Sequence, residues 1–178
     1  MKQKESRTEQ SQEILDLLSE YSKAFSLLEQ YDAGTLTEPE GTPAKFVLKY
    51  EDCVKIIKDV KAGLIVGSLF GSERGGMFEG VIKNIYQTFD GKELYGTIEQ
   101  KAAHLLYLVV KDHPFSDGNK RIGAFLFVYF LSKNSYLYKD NGGNKIDNNA
   151  LVALALLVAE SNPRDMDAMI KIIENILN

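Results

Sequence analysis

The chain has 178 residues, of which 44% are hydrophobic, a length and composition that suit one globular domain with a buried core and a small appendage. Its formal net charge is −4, so a nucleic-acid partner is not expected. Cys53 is the only cysteine, which excludes a disulfide framework and a zinc site built from several cysteines.

The N-terminal residues are polar, and no apolar segment of the kind found in secretory signals follows them. The longest apolar run, residues 122–131, has about half the length that a bilayer span requires. The sequence therefore predicts a cytoplasmic protein that does not associate with a membrane.

The N-terminal part has the periodicity of an amphipathic helix over residues 9–31. Its apolar positions recur at steps of three and four residues: Ile14, Leu18, Tyr21, Phe25 and Leu28. A loop marked by glycine and proline follows at residues 32–43. We therefore divide the chain into an N-terminal helical arm with its linker, 1–43, and a main domain, 44–178. The apolar stripe predicts packing either on the main domain or against a second chain, as in a homodimer.

The main domain is predicted to be mostly helical. Periodicity and capping patterns predict helices at residues 51–61, 77–87, 97–112, 122–131, 148–160 and 164–177. Thr97 and Gln100 have the spacing of a capping box, and Asp147 precedes a helix as a cap. The stretch 67–80 is rich in glycine but lacks the spacing of a phosphate-binding loop, so it predicts an ordinary loop.

Residues 88–95 carry the one clear hairpin pattern in the chain. Asp90 and Gly91 provide the residues that a two-residue turn prefers, between aromatic and apolar flanks. Phe89 and Tyr95 allow two interpretations, namely packing across the two strands or contact with a docked peptide. The fold class is therefore all-α, with one β-hairpin.

Residues 113–121 read His-Pro-Phe-Ser-Asp-Gly-Asn-Lys-Arg and lie between two strongly apolar helices. A glycine lets the backbone approach a ligand, and the N–H groups at a helix start point at an anion. A carboxylate can hold a divalent cation, and a histidine can accept a proton from a nucleophile. This combination of residues predicts a site that handles phosphate groups.

A simpler interpretation of the same segment is turn formation alone. In that case Asp117 caps the next helix, Gly118 adopts a turn conformation, Lys120 and Arg121 are solvated, and His113 ends the preceding helix. The flanking apolar helices favour the first interpretation, because they would bring these polar groups together at one end of the core.

The nine residues resemble the signature of the Fic/Doc family, whose pattern is His-x-Phe-x-(Asp/Glu)-Gly-Asn-(Gly/Lys)-Arg. The resemblance covers roughly residues 45–178 and implies a Fic-type helical bundle in which the hairpin, 88–95, is a flap that docks the target protein as an added strand. The docking residues it implies are Phe89, Asp90, Gly91, Lys92, Glu93, Leu94 and Tyr95.

The resemblance also implies a role for each polar residue of the motif. His113 would be the general base for a target hydroxyl, and histidine ordinarily titrates near neutral pH. Asp117 would hold Mg²⁺ bound to the phosphates of ATP or another nucleoside triphosphate. The nucleotide-binding residues would be Gly118, Asn119, Lys120 and Arg121. The target would offer an accessible Ser, Thr or Tyr.

Two positions depart from the pattern of family members that transfer AMP. Those members have glycine at the position of Lys120 and a second arginine at the position of Ala124. The Doc branch has lysine at the first position and is thought to transfer the γ-phosphate. The first interpretation is transfer of AMP to a protein hydroxyl; the alternatives are a Doc-like protein kinase and a catalytically silent interaction module.

The inhibitory pattern of self-inhibited family members, (Ser/Thr)-x-x-x-Glu-(Gly/Asn), is not found in this sequence. The candidate pairs at 40–41, 79–80 and 174–175 lack Ser or Thr four residues before the glutamate. The resemblance therefore implies control by a separate inhibitor, such as the antitoxin of a toxin–antitoxin pair, or no control of this kind. His104 lies on a predicted buried helix without a third metal ligand in register, so we interpret it as a core residue.

Overall fold

The computed structural model describes the backbone of residues 2–178 and the side chains from residue 11 onward. This described part contains eight α-helices, a short 3-10 helix at Pro163–Asp165 and one two-stranded antiparallel sheet. The helices are α1 Lys2–Glu20, α2 Ser22–Asp32, α3 Tyr50–Gly63, α4 Met77–Ile85, α5 Ile98–Asp112, α6 Asn119–Lys133, α7 Asn148–Glu160 and α8 Met166–Leu177. The strands are β1 Thr88–Phe89 and β2 Lys92–Glu93. The predicted all-α class with a single hairpin is confirmed. Within the described residues, no helix combines the length and apolarity needed to cross a bilayer.

The chain divides into two compact units, Met1–Thr37 and Glu38–Asn178. In the first unit, the single helix predicted over 9–31 is two helices, because Tyr21 departs from helical geometry with φ −102° and ψ 16°. What the apolar stripe of this unit packs against stays a prediction, as does the assignment of residues 44–178 as a catalytic domain.

Helix α5 is the central element of the second unit and packs against α4, α6, α7 and α8. From Ile98 to Val110, every residue except Gln100 is buried. The predicted capping box is confirmed, since Thr97 Oγ1 accepts from the backbone N–H of Gln100 at 3.2 Å and the Gln100 side chain accepts from the backbone of Thr97 at 3.3 Å. A helix with almost no polar face can form only where neighbours cover it on all sides.

Helix α7 is less buried than its composition predicts. Its buried residues are Leu154, Ala155 and Val158, whereas Val152, Leu156 and Leu157 are exposed. The helix packs on α5 and α6 with one face only, so apolar residues on its other face reach the surface. The predicted cap is confirmed, because Asp147 Oδ1 accepts from the N–H of Ala150 at 2.8 Å.

The hairpin forms where the sequence predicts it, with Thr88 paired to Glu93 and Phe89 paired to Lys92. Asp90 and Gly91 both have positive φ, 52° and 73°, as the preferred two-residue turn requires. Phe89 is paired with Lys92 and is 80% exposed. The interpretation that Phe89 packs against Tyr95 across the two strands is therefore wrong. Tyr95 instead stacks on His104, with ring centroids 3.7 Å apart.

Candidate functional site

The motif residues form the loop between α5 and α6 and the first turn of α6. Both ends of this loop turn sharply: His113 has φ 50° at the end of α5, and Gly118 has φ 89° just before α6. A non-glycine residue with positive φ is uncommon and is maintained only where its surroundings determine it. The conformation of His113 therefore depends on what holds the loop.

The irregular segment at residues 70–74 holds the loop by backbone hydrogen bonds. The N–H of Gly71 donates to the carbonyl of Asp117 at 3.1 Å, and the N–H of Ser116 donates to the carbonyl of Ser72 at 2.8 Å. The N–H of Arg74 donates to the carbonyl of Pro114 at 2.8 Å. Sequence reasoning predicted only a glycine-rich loop here, because a pairing between segments far apart in the chain has no local pattern.

Asn119 fixes the loop from inside. This side chain is buried; its Oδ1 accepts from the N–H of Phe115 at 2.9 Å, and its Nδ2 donates to the carbonyl of Phe115 at 2.8 Å. The ring of Phe115 is buried, and its centroid lies 4.9 Å from the centroid of the Phe78 ring. Both polar groups of the side-chain amide are thus bonded to the loop. Asn119 can therefore bind an anion only through its backbone N–H.

Gly118 lies directly against Phe70. A Cβ at Gly118 would lie 2.4 Å from Cε2 of Phe70, closer than any real side chain can approach. Phe70 is 1% exposed, and the guanidinium carbon of Arg121 lies 4.8 Å from the centre of its ring. The same aromatic ring therefore packs against the loop at Gly118 and lies beneath the side chain of Arg121.

His113 is exposed, and its Nδ1 lies 3.1 Å from the carbonyl oxygen of Lys111. A carbonyl only accepts hydrogen bonds, so Nδ1 carries the hydrogen when this bond forms. In the neutral ring, Nε2 then holds the lone pair and can accept a proton. Burial raises the pKa of the neighbouring Asp112 carboxyl, and the charge of His113 partly opposes that shift.

Asp117 and Arg121 form a loose pair, with Oδ2 and Nη2 separated by 3.6 Å and side chains 48% and 51% exposed. An ion pair this long and this exposed contributes little to stability, so both groups can bind a ligand instead. The two residues line a cleft of about 300 Å³ together with every other predicted catalytic, metal-binding and nucleotide-binding residue. The lining residues are His113, Ser116, Asp117, Gly118, Asn119, Lys120 and Arg121. The flap residues do not line this cleft.

The donor set of this cleft suits Mg²⁺ bound together with phosphates. Among the described side chains, no group of three or more His, Cys, Asp and Glu residues is placed to hold a metal ion. Mg²⁺ in nucleotide sites takes only one or two carboxylates and completes its coordination with phosphate oxygens and water. Asp117 offers one half-exposed carboxylate of that kind.

The flap is tied to α5 by a buried lysine that sequence reasoning missed. Lys101 is 1% exposed, its Nζ lies 2.9 Å from Oε2 of Glu93, and it also donates to the carbonyl of Tyr95. A buried lysine must be paired, so its partners in the hairpin are held in place. The sequence feature that could have indicated this buried position is a lysine within a helix that is otherwise apolar on nearly every side.

Comparison with known proteins adds an independent finding. The model of the Fic/DOC family matches residues 47–131, a range that includes both the hairpin and the motif loop. No curated protein and no solved structure gives a match. Residues 47–131, somewhat less than half of the 178 residues, are therefore similar to the Fic/DOC family.

Proposed function

We propose that the protein is a Mg²⁺-dependent transferase that moves AMP from ATP onto a hydroxyl side chain of a target protein. Fic/DOC proteins are usually transferases that act on proteins, and similarity to this family suggests AMPylation or a related nucleotide transfer. The observation that carries the proposal is the convergence of His113, Asp117 and the first turn of α6 in one cleft.

In the proposed reaction, Nε2 of His113 accepts the proton of a target Ser, Thr or Tyr hydroxyl. The hydroxyl oxygen forms a bond to the α-phosphorus of ATP as the bond from that phosphorus to the oxygen bridging the β-phosphate breaks. Pyrophosphate leaves, and AMP stays on the target. The contact of Nδ1 with the Lys111 carbonyl supports this role, because it leaves Nε2 as the proton acceptor.

The phosphates would lie at the start of α6, where the backbone N–H groups of the first turn have no helix carbonyl to bind. Arg121, supported from below by the Phe70 ring, would bind phosphate oxygens through its planar fork. Asp117 would hold Mg²⁺, which when bound offsets the negative charge of the phosphates.

A second candidate reaction is transfer of the γ-phosphate to the same kind of hydroxyl. Lys120 at the start of α6 and Ala124 one turn later favour it, because AMP-transferring members have glycine and arginine at these positions. In this reaction the target hydroxyl attacks the γ-phosphorus and ADP leaves.

In either reaction the flap, residues 88–95, would dock the target. Phe89 favours this role because its exposed ring is free to contact a peptide. A separate inhibitor protein would supply control.

Labelled ATP distinguishes the reactions. The full chain is incubated with cell lysate, Mg²⁺ and ATP carrying label at either the α- or the γ-phosphate, alongside a His113→Ala variant. We expect His113-dependent labelling of protein from α-labelled ATP only, whereas label from γ-labelled ATP alone would replace AMP transfer with phosphate transfer. A Lys120→Gly variant should strengthen α-label transfer if lysine hinders it, and Lys55→Gly, a change of another exposed helical lysine, serves as its control.

Binding of Mg²⁺–ATP, measured by calorimetry on the purified full chain and its His113→Ala variant, separates a silent binding module from a chain without a nucleotide site. Binding without His113-dependent label from either form of ATP would contradict the transferase proposal and indicate a silent binding module. Absence of both binding and labelling would contradict the assignment of the cleft as a nucleotide site.

A further inference from the structure

A second cavity, of about 560 Å³, lies where α5 and α8 meet the end of the flap. It shares no lining residue with the cleft around His113. Tyr95 and His104 form one wall as a stacked pair, and Glu174 of α8 also lines the cavity. Glu38 and Asp167 also line the cavity, and both are exposed.

Glu174 is an unusual group to find in this position. It is 2% exposed, and its Oε2 has no hydrogen-bond partner within the described part of the chain. A buried carboxylate without a partner is costly, because water can no longer solvate its charge. Burial, with further contributions from Glu38, Glu99 and Asp167, raises its pKa to about 7, and Lys171 lowers it. Oε2 of this carboxyl therefore lacks the hydrogen-bond donor that a buried acid oxygen normally has.

The surrounding charges favour a cation over an anion. Arg164 lines the cavity, but it is an exposed residue. Lys171 is already paired with Asp167, with Nζ and Oδ2 2.8 Å apart. Burial lowers the pKa of His104, whose Nδ1 lies 2.7 Å from the carbonyl of Gln100, so the inner wall is neutral. The buried inner part of the cavity thus contains an acid and no opposing positive charge among the described side chains.

We propose that this cavity binds a cationic organic group, an alkylammonium or a guanidinium, with Glu174 as its inner counter-ion. The aromatic ring of Tyr95, which lines the cavity, suits such a group, since aromatic rings attract cations. A metal ion does not fit, because the described residues provide no group of three metal ligands. The cation belongs either to a free amine or to a lysine or arginine side chain of a polypeptide. Tyr95 is the last residue of the flap and lines the cavity, so a segment docked beside the flap would reach it.

Calorimetric titration of the full chain tests this. The probes are agmatine, which carries a guanidinium, 1,5-diaminopentane, and neutral 1-pentanol. We expect saturable binding of both cationic probes and none of 1-pentanol. Glu174→Gln should weaken binding at least about tenfold, because it removes the buried charge that the cation pairs with. Asp167→Asn, at an exposed position, should weaken it less, and Glu160→Gln, the same change at an exposed position outside the cavity, should leave it unchanged.

The pH dependence provides a second readout. Below pH 7 the Glu174 carboxyl holds a proton that a bound cation displaces, so binding at pH 6 should release a proton and be weaker than at pH 8. The other titratable or charged groups near Glu174 are Glu38, Glu99, His104, Arg164, Asp167 and Lys171.

Two outcomes would overturn the proposal: binding of 1-pentanol as tight as that of the cations, or unchanged binding in both Glu174→Gln and Asp167→Asn. Circular dichroism checks that each variant is folded, and the exposed Asp167→Asn variant keeps the test valid if Glu174→Gln does not fold. Two short capped peptides, one with a central arginine and one with glutamine in its place, identify the source of the cation. Tighter binding of the arginine peptide than of agmatine assigns the site to a polypeptide, and the reverse assigns it to a free amine.

Discussion

Replacing Gly118 with alanine should lower the free energy of unfolding by about 2–5 kcal/mol, as the sum of two effects. Gly118 has φ 89°, and a left-handed conformation costs a non-glycine residue about 1–2 kcal/mol. The new Cβ would also lie 2.4 Å from Cε2 and 2.5 Å from Cδ2 of Phe70. Phe70 is buried with Arg121 over its ring, so it cannot move aside freely, and overpacking of this kind costs about 1–3 kcal/mol.

Equilibrium unfolding in urea measures this change, and Gly142→Ala is the matched control. Gly142 has φ 82°, but no heavy atom lies within 4 Å of the position that a Cβ would take, so this variant should lose only the conformational part, about 1–2 kcal/mol. The difference between the two variants isolates the contact with Phe70. If Gly118→Ala loses no more stability than Gly142→Ala, then Phe70 does not restrict the loop and the reasoning is wrong.

Three further predictions concern buried polar groups. Asn119→Ala should lower the free energy of unfolding by at least about 2 kcal/mol, because it leaves the buried N–H and carbonyl of Phe115 unpaired; a loss below about 1 kcal/mol in urea unfolding would refute that role. Lys101→Met should increase amide hydrogen exchange in the flap, since it removes the buried cation that ties the hairpin to α5. Lys92→Met, a change of an exposed lysine within the hairpin, is its control, and equal exchange in the two variants would count against the idea. The pKa of Glu174 is raised from 4.5 to about 7, so the folded protein binds this proton more tightly than the unfolded chain. Its contribution to stability is complete below pH 4.5 and is lost as pH rises through 7, by up to about 3 kcal/mol. Glu174→Gln should flatten this part of the stability profile, and a profile that the substitution leaves unchanged would contradict the assignment.

Local patterns predicted most of the helical elements and their ends. The capping box at Thr97 and the cap at Asp147 are confirmed at the predicted residues, because a cap depends on groups only three residues apart. The turn at Asp90 and Gly91 is confirmed for the same reason. The exposed apolar residues of α7 could not be predicted in this way, since composition indicates how apolar a helix is but not how many of its faces have neighbours.

The sequence by itself determined the nine-residue motif, the two helices that flank it and therefore which polar groups could meet in one cleft. Only the tertiary structure decided how that loop is held, because its supports come from distant parts of the chain. The pairing with residues 70–74, the packing of Phe70 against Gly118 and the buried positions of Lys101 and Glu174 all join segments whose partners no local periodicity specifies. A short-range pattern records which conformation a segment prefers, whereas these contacts depend on which segments the packed core brings together.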